Sequence, residues 1–191
     1  GEQDISPYFW HNGRMPEGPA FDAAVASGFA GYRLRVFGSV ERPADLSIAD
    51  LRALGFTEQI TEHFCIQGWT GIAKWGGTPM TRLIEHVAPR SGVRFVVFYS
   101  FAEGSDGGRY YDVHTLEDMR HVRSILAYEM NGATLPVGFG APLRLRCENQ
   151  LGFKHVKWIE AIEFVEDHHD LGIGRGGYNE DHEFFGFHAP I

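Results

Sequence analysis

The sequence has no excess of basic residues. Lys and Arg total 17 against 25 Asp and Glu, which gives a formal net charge of -8. A nucleic-acid groove and an anionic membrane surface both require basic side chains on the contacting face. Neither is therefore an expected partner, although a local basic pocket is compatible with this charge.

Long hydrophobic runs are also lacking. The longest, "FVVFYSFA" from Phe95 to Ala102, is far short of the roughly 20 residues that a membrane-spanning helix needs. The start "GEQDISPYFW" has no signal-peptide pattern, but a trimmed chain would lack one as well. We expect a soluble protein without a membrane span, and leave a bacterial periplasmic or cytoplasmic location open.

Cysteine is scarce, with two residues, Cys65 and Cys147. A single bridge does not make a disulfide scaffold in a chain of this size, and neither residue has Cys-x-x-Cys or zinc-finger spacing. Each thiol therefore requires its own explanation.

Apolar residues are plentiful, at 43% hydrophobic and 14% aromatic, which is ample for a sizeable core. No linker or repeat divides the chain. We expect one domain over residues 1–191, with 167–191 as a C-terminal loop or tail extension.

Strands and short helices alternate irregularly in the predicted secondary structure. Aromatic and β-branched segments predict strands at Tyr32–Val40, Arg94–Phe101, Pro142–Glu148 and Val156–Glu166, and Asn131-Gly132 predicts a hairpin turn. Helices are predicted after Ser47 (to Gly55), after Thr78 with Pro79 as first helical residue (to Pro89), and after Thr115. Without regular βαβ alternation, this pattern predicts an α+β fold with several mixed sheets.

Cys65 stands in "HFCIQGWTGIAKWGG" and has two interpretations. A free cysteine is usually a small buried hydrophobe. The glycines at 68, 71, 76 and 77 instead suggest a loop that approaches a bound group closely, where a thiolate would suit a soft metal. One thiolate cannot hold a metal alone, so this second interpretation requires further ligands.

The interval "RLRCENQLGFKHVK" concentrates basic residues, namely Arg144, Arg146, Lys154, His155 and Lys157. They are either outward charges on a strand and loop or a cradle for an anion such as phosphate. The pair Tyr110-Tyr111, expected on a turn after Gly107-Gly108, is either packing or a source of a hydrogen bond near a reactive centre.

The C-terminal histidines form a third candidate site. His168, His169, His182 and His188 with nearby carboxylates could bind a divalent ion, but their spacing matches no zincin or EF-hand pattern, and a solvated tail or loop is the preferred interpretation.

The order of the motifs resembles the molybdopterin-binding domain of the sulfite oxidase family. It runs from "HFCIQGWTGIAKWGGTP" through "VVFYS", "GGRYYDVHTLEDM", "LAYEMNGATLP" and "GAPLRLR" to "LGFKHVKWIEAIEFVE". The resemblance extends from about Ser6 to Glu166 and is strongest to bacterial members related to protein-methionine-sulfoxide reductase catalytic subunits. True sulfite oxidases have an Asn-Arg-Arg stretch shortly after the cysteine, where this chain has Trp69, Thr70 and Gly71.

The resemblance implies one molybdenum-molybdopterin cofactor and a set of residues that hold it. Cys65 would be the protein's thiolate ligand to the metal, and either Tyr110 or Tyr111 would be the active-site tyrosine. The cofactor contacts implied are His11, Asn12, Cys65, Ser100, Arg144, His155, Val156 and Lys157. Phe139 departs from the Asn or His of relatives and is left outside the implied site.

The resemblance also implies an oxidoreductase that transfers an oxygen atom or two electrons at a small S- or N-oxo substrate. Sulfite oxidation and a non-catalytic molybdopterin-binding domain are the alternatives. The C-terminal tail is similar to that of relatives found beside a membrane cytochrome b segment, which implies a cytochrome b-type electron partner. Since the dimerisation domain usual in sulfite oxidases is missing from this sequence, a monomer is expected.

Overall fold

The strands account for most of the regular structure. A computed structural model describes residues 1–183 and 185–191. The strands are β1 (Leu34–Gly38), β2 (Ala44–Leu46), β3 (Thr57–Phe64), β4 (Thr70–Pro79), β5 (Phe95–Glu103), β6 (Arg109–Thr115), β7 (Ser124–Met130), β8 (Ala133–Thr134), β9 (Arg144–Cys147) and β10 (Ile159–Val165). The helices are α1 (Pro19–Ala26), α2 (Ile48–Leu54), α3 (Met80–Val87), α4 (Leu116–Arg120) and α5 (Tyr178–His182), with short 3-10 turns at Glu2–Asp4, Val137–Phe139 and Gly152–Lys154.

These strands form two sheets. The first sheet has the order β2-β1-β10-β5-β6, in which β1 runs parallel to β10 and the other pairs are antiparallel. The second sheet has the order β3-β4-β7-β8, with β9 also paired to β7. Two sheets with few, short helices confirm the predicted α+β class.

The first sheet is covered on both faces. Along β5, Val96 and Phe98 join the main core, whereas Val97 joins a smaller cluster with Tyr111 and Tyr178. Successive side chains of a strand point to opposite faces, so this division follows from strand geometry. The smaller cluster brings α5 against the sheet.

Two helix starts agree with their predicted caps. Ser47 Oγ accepts a hydrogen bond from the amide of Asp50 at 3.1 Å, and α2 ends at Gly55. Thr115 Oγ1 accepts from the amide of Asp118 at 3.0 Å, and α4 follows it. Both caps depend on neighbours three residues apart, which is why the sequence predicts them.

The start of α3 differs from its prediction. The helix begins at Met80, with no side-chain cap, because Thr78 and Pro79 still pair with β7 as the last residues of β4. The Thr78 hydroxyl donates instead to the carbonyl of Leu51 at 2.8 Å. The predicted apolar face is correct, since Met80, Leu83, Ile84 and Val87 are all buried.

The predicted Gly-rich loop after Cys65 is wrong. Residues 57–64 and 70–79 form the antiparallel hairpin β3–β4, and only 65–69 connect the two strands. A Cβ on Gly77 would lie 2.1 Å from the carbonyl oxygen of Leu126, so this glycine lets β4 approach β7. Gly76 and Gly77 therefore serve strand packing and not the approach of a bound group.

Other predictions differ in detail. The four predicted strands correspond to β1, β5, β9 and β10, and Asn131-Gly132 joins β7 to β8 with positive φ at both residues. Tyr110 and Tyr111 lie within β6 and not on a turn. No helix in the described part of the chain is long and apolar enough to cross a membrane.

Candidate active site

A cavity of about 300 Å³ brings together most of the residues singled out in the sequence. Its wall is built from the N-terminal segment, the β3–β4 turn, the ends of β5, β6 and β9, residues 152–158 and α5. The predicted residues that line it are His11, Asn12, Cys65, Ser100, Tyr110, Arg144, His155, Val156 and Lys157. Tyr111 is not among the lining residues.

Cys65 stands at the start of the β3–β4 turn, where it is half-buried. The turn is closed by two backbone hydrogen bonds, from Cys65 to Trp69 at 3.0 Å and from Gly68 to Cys65 at 2.9 Å. The side-chain amide of Asn12 donates to Cys65 Sγ at 3.3 Å, and the backbone amide of Gln67 lies 3.5 Å from the same sulfur. Because N–H groups donate best to a charged acceptor, this environment suits a thiolate ligand.

Arg144 enters the cavity wall from β9. Its side chain is buried, donates to the carbonyl of Phe139 at 2.9 Å and lies over the ring of Trp75. Its Nε has no hydrogen-bond partner among the described residues. Burial, and then the nearby charge of Arg146, lower the pKa of Arg144, which indicates a positive charge that the described residues do not neutralise.

Lys157 is a second under-neutralised cation on the same wall. Its Nζ donates to the carbonyl of Asn12 and lies 3.3 Å from that of Gly138. Burial, together with the charge of Arg144, lowers the Lys157 pKa from 10.5 to about 7. Two uncharged carbonyls offset an ammonium charge poorly, so this site would be stabilised by an anion.

His155 completes the group. Its Nε2 bonds to the carbonyl of Gln150 at 3.0 Å, while its buried Nδ1 has no partner in the described part of the chain. Burial and the charge of Arg146 lower the His155 pKa. Arg144 and Lys157 carry charge that the described residues do not neutralise, and the His155 ring has a nitrogen without a partner among them. This group fits a phosphate, which accepts several charge-assisted hydrogen bonds and would favour a protonated His155.

The other two basic residues of this interval are neutralised inside the fold. Arg146 makes two hydrogen bonds to Glu148, at 2.8 and 2.7 Å, and one to His63 Nδ1 at 2.9 Å. Lys154 is held by the carboxylates of Asp112 and Glu180. Of the five basic residues in this interval, only Arg144, His155 and Lys157 are therefore available to bind an anion.

Ser100 supports the cavity from β5. Its hydroxyl donates to the carbonyl of Lys157 at 2.8 Å and accepts from the amide of Ala102 at 3.0 Å. Both partners are main-chain atoms, so Ser100 holds the loop that carries Lys157 at the end of the strand.

The two tyrosines of β6 point to different surroundings. Tyr110 lines the cavity, and its hydroxyl accepts a hydrogen bond from the side chain of Asn179 at 2.9 Å. Burial, and then the carboxylates of Asp112 and Glu180, raise the Tyr110 pKa, so the phenol keeps its proton. The Tyr111 hydroxyl donates to Asp181 and its ring joins the smaller core cluster. Strand alternation separates two residues that the sequence could not distinguish.

Sequence reasoning did not assign several other lining residues to the site, among them His63, Phe139, Asn179 and Phe185. His63 is buried beside Arg146, and burial with that charge lowers its pKa to about 2, so it is neutral. The ring of Phe139 lies 5.2 Å from that of His11, although Phe139 was left outside the implied site. Asn179 and Phe185 come from the tail and carry no sequence motif that would identify them. His63 could have been found from its position two residues before Cys65, at the end of β3.

The C-terminal histidines do not assemble into a metal site. In residues 1–183 and 185–191, no group of three or more His, Cys, Asp or Glu side chains could hold a metal ion. His169, His182 and His188 pair separately with Asp167, Asp106 and Asp118. The divalent-ion alternative for this tail is therefore not supported.

Comparison with known proteins agrees with the family that the sequence motifs resemble. The family model for the oxidoreductase molybdopterin binding domain matches residues 22–171. The chain is 32% identical over 152 residues to the putative protein-methionine-sulfoxide reductase subunit YedZ1 of Azospira oryzae, covering 80% of this chain and 53% of that protein. It is 30% identical over 176 residues to the protein-methionine-sulfoxide reductase catalytic subunit MsrP of Xanthomonas campestris pv. campestris, covering 86% of this chain and 54% of that protein.

A solved structure shares the fold. The sulfane dehydrogenase SoxCD from Paracoccus pantotrophus superposes with a TM-score of 0.62 at 19% identity, over 71% of this chain and 38% of that chain. The present chain spans about half the length of the curated relatives it matches. The family match covers well over half of the chain, and it therefore belongs to the family of oxidoreductase molybdopterin-binding domains.

Proposed function

We propose that this chain is a molybdenum-molybdopterin-dependent oxidoreductase that reduces the S-oxide or N-oxide of a small substrate. The observation that carries the proposal is one cavity whose wall holds both the Cys65 thiol and the under-neutralised cations Arg144 and Lys157. The thiol suits a soft metal and the cations suit a phosphate, which are the two ends of such a cofactor.

The lining residues divide into roles on this proposal. Cys65 is the protein ligand to the metal, with Asn12 oriented toward its sulfur. Arg144, His155 and Lys157 bind the phosphate. His11 and Val156 contact the pterin from opposite parts of the chain, and Ser100 holds the loop of Lys157 in place.

Tyr110 acts on the substrate. When bound, molybdenum supplies the two-electron redox chemistry and the acceptor for the oxygen atom. The protonated phenol of Tyr110 donates a hydrogen bond to the oxide oxygen and so polarises the bond that breaks. Overall, the oxide gains two electrons and two protons and is converted to the reduced compound and water.

The substrate is proposed to be an oxide and not sulfite. Residues 66–71 contain no Arg or Lys, and the lining residue Arg14 is exposed and paired with Glu17 at 3.0 Å. A dianion entering a cavity loses hydration that cationic partners must replace, whereas a neutral oxide needs only a hydrogen-bond donor. Two relatives whose names specify methionine-sulfoxide reductase support this choice.

The electrons are proposed to come from a cytochrome b-type membrane partner, as the resemblance of the tail implies. In an assay, a reduced viologen dye replaces that partner. The chain itself is proposed to act as a monomer.

The proposal predicts that cofactor-loaded protein with reduced dye consumes a dialkyl sulfoxide or an amine N-oxide faster than it oxidises sulfite at matched concentration. Steady-state assays of the reactions measure this directly.

Cys65→Ser should abolish turnover and keep the fold, because a hydroxyl is similar in size but a poor soft-metal ligand. Sulfite oxidation without oxide reduction would contradict the substrate class, and unchanged turnover of the serine variant would contradict the ligand assignment. Loaded protein inactive in every assay would instead support a non-catalytic domain.

A further inference from the structure

The C-terminal segment, residues 172–191, lies beyond the residues that the family model matches, yet it forms part of the cavity. Asn179 and Phe185 are lining residues, and the ring of Phe185 stacks on that of Phe153 at 4.7 Å. One wall of the proposed active site is therefore contributed by a segment outside the matched region.

A buried ion cluster holds this segment against β6. Lys154 Nζ donates to Glu180 Oε1 at 2.8 Å, to the carbonyl of Val113 at 3.0 Å and to Asp112, and the three charged side chains are at most 1% exposed. Asp112 follows Tyr110 by two residues on β6, so both lie on the same face of the strand. The cluster thus fixes α5 beside Tyr110.

Tyr178 adds a second attachment. Its ring lies 5.6 Å from that of Tyr110, and its hydroxyl donates to Asp106 at 2.8 Å, in the loop that precedes β6. The neighbouring Asn179 therefore has little freedom to move away from Tyr110.

We propose that Asn179 is a positioning residue for the oxide reduction: its amide donates to the Tyr110 hydroxyl and so leaves the phenolic proton for the substrate oxygen. This inference rests on the proposed function, in which Tyr110 donates to the oxide. The alternative acceptor, the carbonyl of Phe153, lies 3.4 Å from the hydroxyl, which is long for an O–H···O hydrogen bond. A substrate oxygen can therefore replace the Phe153 carbonyl as the acceptor with little loss of hydrogen-bond energy.

The decisive variant is Asn179→Asp, which keeps the shape of the side chain but replaces the donor with an acceptor. The ionised carboxylate accepts a hydrogen bond from the Tyr110 hydroxyl. The phenolic proton is then no longer available to the substrate oxygen. We expect kcat for dimethyl sulfoxide with reduced viologen to fall roughly 10-fold, the equivalent of one hydrogen bond, with a smaller change in KM. Asn179→Ser, which retains a donor, should recover part of the loss, and Asn179→Asp should lower turnover little further in a Tyr110→Phe background.

A second measurement does not depend on turnover. In protein labelled with 3-fluorotyrosine, the Tyr110 signal is identified by its loss in Tyr110→Phe, and Asn179→Asp should shift that signal and leave the others in place. Tyr111→Phe is the matched control, because it removes a tyrosine hydrogen bond to the same helix outside the cavity. It should change neither the Tyr110 signal nor kcat.

The outcomes separate this inference from the proposed function. A Tyr110 signal and a kcat that Asn179→Asp leaves at wild-type values would overturn the positioning role. A shifted signal in loaded protein that reduces no oxide would support the Asn179–Tyr110 arrangement and reject the proposed reaction. A general loss of dispersed fluorine signals in every Asn179 variant would show that the residue serves folding, which would also overturn the inference.

Discussion

At the scale of single residues, Arg144 and Arg146 show how neighbours on one strand can have opposite environments. Both lie on one face of β9, with their guanidinium groups over the ring of Trp75. Arg146 has the carboxylate of Glu148 as a partner, whereas Arg144 faces the cavity without one among the described residues. Their chemistry is the same, so the location of one glutamate decides which arginine is available for an anion.

Arg144→Ala should therefore affect cofactor binding, whereas Arg146→Ala should affect stability. Arg144→Ala should lower the pterin content of the folded protein, because each charge-assisted bond to phosphate contributes about 1.5 to 3 kcal/mol. Arg146→Ala leaves the buried Glu148 carboxylate unpaired and should lower the free energy of unfolding by about 3 to 5 kcal/mol. Pterin fluorescence per folded protein and urea unfolding measure the two effects. Equal losses of pterin from folded protein would contradict the assignment.

At the scale of elements, the hairpin β3–β4 carries Cys65 and depends on glycine for its packing. The pairing of β4 with β7 has a register shift between Gly76 and Gly77. At Gly77 the backbone of β7 occupies the space that a side chain would need. From the sequence, these glycines predict a loop that approaches a bound group closely, because a residue without a side chain allows close backbone contact. The same residue type serves a tightly packed strand when a neighbouring backbone occupies the side-chain position.

Gly77→Ala should destabilise the protein strongly and Gly68→Ala only mildly. The new methyl group at position 77 would lie 2.1 Å from the Leu126 carbonyl oxygen, which requires a backbone shift and should reduce stability by about 3 kcal/mol or more. Gly68 has open space around it and a φ of +88°, so alanine there should lower stability by about 1 to 2 kcal/mol. Thermal unfolding of both variants provides the comparison, and similar melting temperatures would refute the packing argument.

At the scale of the whole molecule, the cavity collects positive charge although the chain is acidic overall, at -8. Burial and Arg144 lower the Lys157 pKa from 10.5 to about 7. Between pH 7 and pH 10.5, Lys157 is protonated in the unfolded chain but largely deprotonated in the folded protein. The free energy of unfolding therefore rises with pH across this window. A bound phosphate would keep Lys157 charged and remove this dependence.

Cofactor-free protein should therefore gain stability from pH 7 to pH 9 relative to the Lys157→Met variant. The difference should grow by at most about 1.4 kcal/mol per pH unit, and by less where solvent reaches the ammonium group. Urea unfolding of both proteins at several pH values measures it, and the subtraction cancels the other groups that titrate. Parallel stability curves would show that Lys157 is not perturbed, and the difference should disappear in cofactor-loaded protein.

The sequence by itself determined the features that depend on near neighbours. The caps at Ser47 and Thr115, the turn at Asn131-Gly132 and the apolar face of α3 each need only residues within about four positions, since these hydrogen bonds and periodicities are local. The irregular alternation of predicted strands and short helices predicted the α+β class, and the order of motifs indicated the family and the role of Cys65.

The tertiary structure alone decided which chemically equivalent residues reach the cavity. It placed Tyr110 but not Tyr111 in the wall, and it gave Lys154 two buried carboxylates while Lys157 received carbonyl partners. It also brought Asn179 to Tyr110 across a separation of 69 residues. The physical reason is that a side chain's charge and hydrogen bonding depend on neighbours brought close by folding, and no local pattern records where those neighbours will be.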